Sequence, residues 1–281
     1  MKKILVIIIA LALIGWGAKY AFEHIIRHVD VAKPAGIDQI QGEKTEKKAI
    51  LRFALVADSE NDNVLLQKAL EQAQGKGINF VIGLGDWSAV GTNAELLKVK
   101  KIFDDSKLQY YLTSGDHDLW DSRDKGHDAL TNYKQIFGSP SQEFAKENVE
   151  FVIEDNSDIY KGIDAESLIQ FAESLKKPAK LRFVFAHKTP FHPTSSHVMG
   201  EDSPEVAKQA QEFMSLMEQN KVNGFFSGDL HFFAEFKSPN NTVRITTVGA
   251  IDSERNFQGP RYAVVTVYDD YSWQVEDVEI R

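Results

Sequence analysis

LRFALVADSE at residues 51–60 and FVIGLGD at residues 80–86 decide the fold: each contains a short apolar run, rich in β-branched and aromatic residues, that stops on an acid. Runs of this length and composition form buried strands. Between them, Val64 to Gln74 has helical spacing, and a strand, a helix and a strand in succession make a parallel pair. The rhythm continues outward. Ala94 to Phe103 reads as helix, Leu108 to Leu112 as strand, Tyr133 to Phe137 as a short helix, Val149 to Ile153 as strand and Ala165 to Leu175 as helix. Leu181 to Ala186 and Gly224 to Phe226 are two further apolar strands around the helical stretch Pro204 to Asn220. Beyond Phe232 the helical spacing stops. Residues to Ile280 read as successive strands with turns at Ser238 to Asn241 and Asp269-Asp270, which predicts a second, more antiparallel sheet.

Composition narrows the function. Of 281 residues, 43% are hydrophobic and 26% charged, the balance of an ordinary globular chain. A formal charge of −9 gives no basic excess, so no binding to nucleic-acid backbones is expected. The absence of cysteine excludes disulfide scaffolds, thiolate metal sites and cysteine nucleophiles. At the amino terminus, Lys2 and Lys3 precede an apolar run from Ile4 to Ala18 that extends past Lys19 to Phe22. We read residues 1–29 as a signal anchor, or a signal peptide if cleaved, with a membrane-proximal helix. The two lysines predict an inside amino terminus, so the domain is expected anchored on the outer side of a membrane, or secreted if cleavage occurs. Residues 30–48, with Pro34, Gly36 and Gly42, read as a polar linker, and residues 49–281 as the folded domain.

The chemistry lies at the strand ends. Asp58-Ser59-Glu60, Gly85-Asp86, Gly115-Asp116-His117-Asp118, His187 and Gly228-Asp229-Leu230-His231 each follow an apolar strand. In an open α/β sheet the carboxyl ends of parallel strands meet at one crevice. One such acid alone reads as a turn or helix cap. Their convergence is the arrangement of a metal site.

In order, spacing and strand context these residues resemble the calcineurin-like metallophosphoesterase family across nearly all of residues 50–281. The resemblance implies a four-layer α/β/β/α sandwich of two mixed sheets, preceded here by an N-terminal hydrophobic helix. It also implies two metal ions sharing Asp86, the first held with Asp58, Glu60 and His231, the second with Asp116, His187 and Asp229. His117 would serve the leaving group, oriented by Asp118, while a metal-bound hydroxide attacks a phosphomonoester or phosphodiester. Glu60 and Asp229 stand where the family has histidines, and Asp116 where it has asparagine. These three changes place five carboxylates around the expected ions, which favours Mn, Mg, Fe or Ca over Zn. They also motivate the alternative of a catalytically weak or inactive metal- and phosphate-binding module on the same fold. Arg123, Lys188 and His192 are candidate substrate-binding residues, with surface pairing the competing reading for the two cations and plain exposure for His192. His197, in the same loop as His192, is a reserve ligand.

Overall fold

A computed structural model of the chain describes residues 47–281. The expected amino-terminal helix and most of the linker lie outside the described residues. Among the described residues no helix is long and apolar enough to cross a membrane.

Among the described residues eleven strands form two mixed sheets. In the first, β1 (Ala49–Val56), β2 (Phe80–Leu84) and β3 (Tyr110–Thr113) run parallel. Antiparallel β10 (Arg261–Tyr268) pairs with β1, and β11 (Trp273–Glu279) pairs with β10 at the edge. The second sheet has a parallel centre of β5 (Val149–Ile153), β6 (Leu181–Phe185), β7 (Gly224–Ser227) and β9 (Arg244–Thr247). Its edges are antiparallel β4 (Gln142–Lys146) and β8 (Ala234–Lys237). The carboxy-terminal strands therefore build no sheet of their own. They divide between the two sheets because β10 is apolar on both faces and fits only a central position, Val265 facing one core and Val264 another.

Alternation along each strand sets the layers. Phe53 and Leu55 of β1 point between the sheets with Phe80, Phe151 and Phe183, while Ala54 and Val56 face helices α1 (Asn63–Gly75) and α2 (Asn93–Ser106). Phe53 stacks on Phe80 at 5.3 Å and meets Phe151 edge-on at 5.3 Å; such ring pairs add about 0.5–1.5 kcal/mol each beyond their buried area. On the far side, Val152 and Val184 pack under α5 (Ala165–Ser174) and α6 (Pro204–Gln219). The result is the helix, sheet, sheet, helix order. Two short helices, α3 (Trp120–Asp124) and α4 (Thr131–Phe137), follow β3.

Candidate metal centre

The strands deliver their polar endings to one place, and the backbone is bent sharply to aim them. Asp58, Glu60, Asp86, Asp229 and His231 have φ of 53°, 38°, 55°, 65° and 59°. The left-handed conformation costs a non-glycine residue roughly 1–2 kcal/mol, and strain of this kind gathers at functional sites. Tertiary hydrogen bonds hold it. Asp58 N donates to the Gly85 carbonyl at 3.0 Å, Glu60 N to that of Asp86 at 3.0 Å, and Asp252 N to that of Asp58 at 2.9 Å. Gly115 lets the β3 loop pass against Asp86: a Cβ there would lie 2.0 Å from Asp86 Oδ1.

Three overlapping groups of donor atoms result, each with all its atoms within 4.8 Å of one another: Asp58, Asp86 and His187; Glu60, Asp86 and His231; Asp116, His187 and Asp229. All seven residues that the sequence offers as ligands are thus brought together. His187 Nδ1 donates to the Leu84 carbonyl at 2.8 Å, which leaves Nε2 as the ligating nitrogen. That nitrogen lies 3.2 Å from Asp116 Oδ1, 3.5 Å from Asp86 Oδ2 and 3.7 Å from Asp229 Oδ1. Asp58 Oδ2 and His231 Nδ1 are buried with no hydrogen-bond partner among the described residues. Buried polar atoms normally find a partner, so these orphans suit a cation in the two donor groups that share Asp86.

The electrostatics show where positive charge is missing. Burial pushes the Asp58 carboxyl up to about 6 and that of Asp86 well above its ordinary range. Burial also opposes a charge on His187, yet Asp86, Asp116 and Asp229 raise its pKa well above the usual value. Without a cation the imidazole carries a proton that a metal would displace. At Asp229 burial again resists ionisation, but Lys188, His197 and His187 together outweigh it and bring the carboxyl down to about 2.

Lys188 does not face solvent. It is 3% exposed, and its Nζ lies 2.6 Å from Asp229 Oδ1 and 3.4 Å from Asp116 Oδ1. The Asp116 and Asp229 carboxylates of the third donor group are therefore already bridged by an ammonium. Two other basic side chains reach carboxylates of the centre. Arg255 pairs with Glu60, and His197 Nε2 reaches Asp229 Oδ1 at 3.4 Å while its Nδ1 contacts Glu201. Only the loop position of His197 hinted at this contact.

The expected pairing of His117 with Asp118 does not form. His117 Nδ1 donates to the Ala89 carbonyl at 3.0 Å, and its ring stacks on Trp120 at 4.0 Å. The fully buried Asp118 carboxylate instead accepts from Trp87 N at 3.0 Å, Ser88 N at 3.0 Å, Ser88 Oγ at 2.7 Å and Gly115 N at 3.0 Å. It ties the Asp86 loop to the Asp116 loop. His117 still belongs to the centre, since its backbone N donates to Asp86 Oδ1 at 3.0 Å. Arg123 lies over the Tyr160 ring, 5.0 Å from its centroid. His192 spends Nδ1 on Thr194 N at 3.2 Å and Ser195 N at 2.8 Å, so it shapes its own loop.

Two sheets between helices, with carboxylates and histidines converging at strand ends, define the metallophosphoesterase class. A model of the calcineurin-like phosphoesterase family matches residues 51–233, and the chain belongs to that family. The fold is similar to the crystal structure of a dimetal phosphatase from Danio rerio, with a TM-score of 0.63 and 15% identity over 83% of this chain and 99% of that one. It also resembles purple acid phosphatase PPD1 from yellow lupin seeds, at a TM-score of 0.59 and 13% identity, covering 83% of this chain and 52% of that larger one. GAP50, the anchor in the inner membrane complex of Plasmodium, follows at a TM-score of 0.53 and 16% identity, over 83% of this chain and 90% of that one. At these identities the likeness concerns fold alone. The search of curated proteins finds no match.

Proposed function

We propose that this chain is a metal-dependent hydrolase of phosphomonoesters or phosphodiesters, acting on the outer face of a membrane. The carrying observation is the convergence of two donor groups that share Asp86, one with Asp58 and His187 and one with Glu60 and His231, where Asp58 Oδ2 and His231 Nδ1 are buried without partners and His117 lies alongside. A divalent cation bound there, with Mn, Mg, Fe or Ca suiting the oxygen-rich set, supplies Lewis acidity toward a phosphoryl oxygen. The protein supplies the rest. The Ala89 carbonyl fixes the His117 proton on Nδ1, leaving Nε2 to exchange a proton with the leaving-group oxygen. Trp120 holds the ring in place, and Asp118 keeps the Asp86 and Asp116 loops in register. The outer-face location rests on Lys2 and Lys3 ahead of the Ile4 to Ala18 run; protease protection of the full chain in sealed vesicles tests it.

The enzymatic test uses the detergent-solubilised full chain, stripped of metal and reloaded ion by ion, on generic aryl phosphomonoesters and diesters. Cation-dependent turnover lost in Asp86→Asn and strongly reduced in His117→Ala is the expected result. Turnover no higher than Asp86→Asn with every ion would refute it. A second reading, a binding module with little or no catalysis, draws on one observation: Arg255 and Lys188 already occupy the carboxylates of Glu60, Asp116 and Asp229. Cation binding without turnover would favour that reading.

A further inference from the structure

Lys188 follows His187 directly, so the same strand end that delivers a ligating imidazole also delivers an ammonium. Its Nζ bridges Asp229 Oδ1 at 2.6 Å and Asp116 Oδ1 at 3.4 Å. Those same two oxygens lie 3.7 and 3.2 Å from His187 Nε2. They are the oxygens a second cation would need. We propose that the Lys188 ammonium takes the second cation position, so that this chain works with one divalent ion beside a built-in lysine charge. The proposal rests on the reading of this centre as a phosphoesterase site.

Three features make the lysine a resident rather than a visitor. Its side chain is buried, so leaving the carboxylates would strand charges away from water. Its backbone is clamped on both sides by the buried Asn156, whose Nδ2 donates to the Lys188 carbonyl at 2.7 Å and whose Oδ1 accepts from Lys188 N at 2.9 Å. The loop that follows is closed by Met199 N donating to the Thr189 carbonyl at 2.9 Å. Arg255, the cation on Glu60, is different: its side chain is 61% exposed and can release Glu60 to water-facing coordination at little cost. The first position is therefore open to a metal ion and the second is not. Asp229 Oδ2 remains unpaired, but Oδ1, the oxygen turned toward His187, is the one held by Lys188. A dication within about 4 Å of a fixed ammonium is repelled strongly enough to lower its affinity by at least ~100-fold. An ammonium neutralises carboxylates but is no Lewis acid, so any nucleophilic water must be activated at the single ion.

The test is a metal count with a spectroscopic readout on the full chain in detergent, loaded with Mn²⁺. Wild type is expected to hold one Mn²⁺ per chain, with the hyperfine pattern of an isolated ion in electron paramagnetic resonance. Lys188→Ala and Lys188→Met are expected to gain a second equivalent with an exchange-coupled signal. Two coupled ions in wild type would overturn the inference and leave the phosphoesterase reading standing. One ion in wild type and in both folded variants would overturn it too. No ion in any form would overturn both readings together. Even if both variants misfold, two coupled ions in wild type overturn the inference and one isolated ion supports it.

Discussion

Gly115→Ala tests whether Asp86 is the shared carboxylate of the centre. A Cβ at residue 115 would stand 2.0 Å from Asp86 Oδ1, 2.2 Å from Asp86 N and 2.7 Å from Asp86 Cγ. Real Cβ atoms essentially never approach within 3.0 Å, so Oδ1 must retreat by about 1 Å. Metal sites tolerate about ±0.2 Å in ligand distance, and a displacement of about 1 Å costs on the order of 100-fold in rate. Overpacking adds roughly 1–3 kcal/mol of destabilisation, a fall in Tm of about 2–12 °C for a domain of this size. We expect Gly115→Ala to stay folded, to lose bound cation at concentrations that saturate wild type, and to drop at least ~100-fold in kcat/KM. Gly75→Ala is the control, because nothing lies within 4 Å of its added Cβ. The readouts are metal content, hydrolysis of a chromogenic phosphodiester and thermal melting. Gly115→Ala with wild-type cation content and turnover within about threefold would refute the assignment of Asp86, because a shift that large cannot leave a bridging ligand in place.

Asp118→Asn should lower kcat/KM additively with His117→Ala, because the carboxylate serves Trp87, Ser88 and Gly115 rather than the imidazole. Loss of the Asp118 effect in a His117→Ala background would contradict this. Arg255→Ala should tighten the first cation by up to about fivefold in calorimetry, since an exposed pair is worth about 0.2–1 kcal/mol; weaker binding would mean that Arg255 assists rather than competes. Glu154 is 4% exposed, and burial raises its pKa to about 8, with Asp155 and Asp164 adding to the shift and Ser141 opposing it. Its folded-state pKa exceeds its unfolded one, so the folded protein binds the extra proton and stability falls as pH rises from the ordinary glutamate range toward 8. Glu154→Gln should therefore stabilise the protein at pH 8 but not at pH 4, measured by denaturant unfolding; equal shifts at both pH values would sink the argument.

The parallel strands and their polar ends are legible in the sequence because β1, β2, β5, β6 and β7 are buried along most or all of their lengths. A strand buried on both faces is a continuous apolar run, and topology carries its end to the crevice. Gln142–Lys146 escapes reading because an edge strand alternates polar and apolar residues without turn signals that set it apart. The distribution of β8 to β11 between two sheets depends on long-range pairing such as Phe53 with Val265, which no local pattern encodes. The seven candidate ligands come from strand ends, whereas Lys188, Arg255 and His197 act through side-chain direction and loop path. His117 and Asp118 misled for a related reason: they are neighbours in a single tight turn, and adjacent residues there diverge, so sequence adjacency is no evidence of contact.

The charge pattern of the centre singles out one place for a metal. Five carboxylates meet there, and three have a lysine or arginine partner: Glu60 has Arg255, while Asp116 and Asp229 share Lys188. In these three, burial opposes ionisation and the partners overcome it, so their carboxyls are held below the ordinary range. Asp58 and Asp86 have no lysine or arginine partner among the described residues, and in both burial prevails and raises the carboxyl. The unmet demand for positive charge thus lies at Asp58 and Asp86, the two carboxylates that neither Lys188 nor Arg255 holds. A cation there relieves two desolvated carboxylates, and that relief appears as folding stability growing with free cation as RT ln(1 + [L]/Kd). An ion drawn instead to the Lys188 position would add charge where carboxylates are already neutralised and leave the two that need it unpaired.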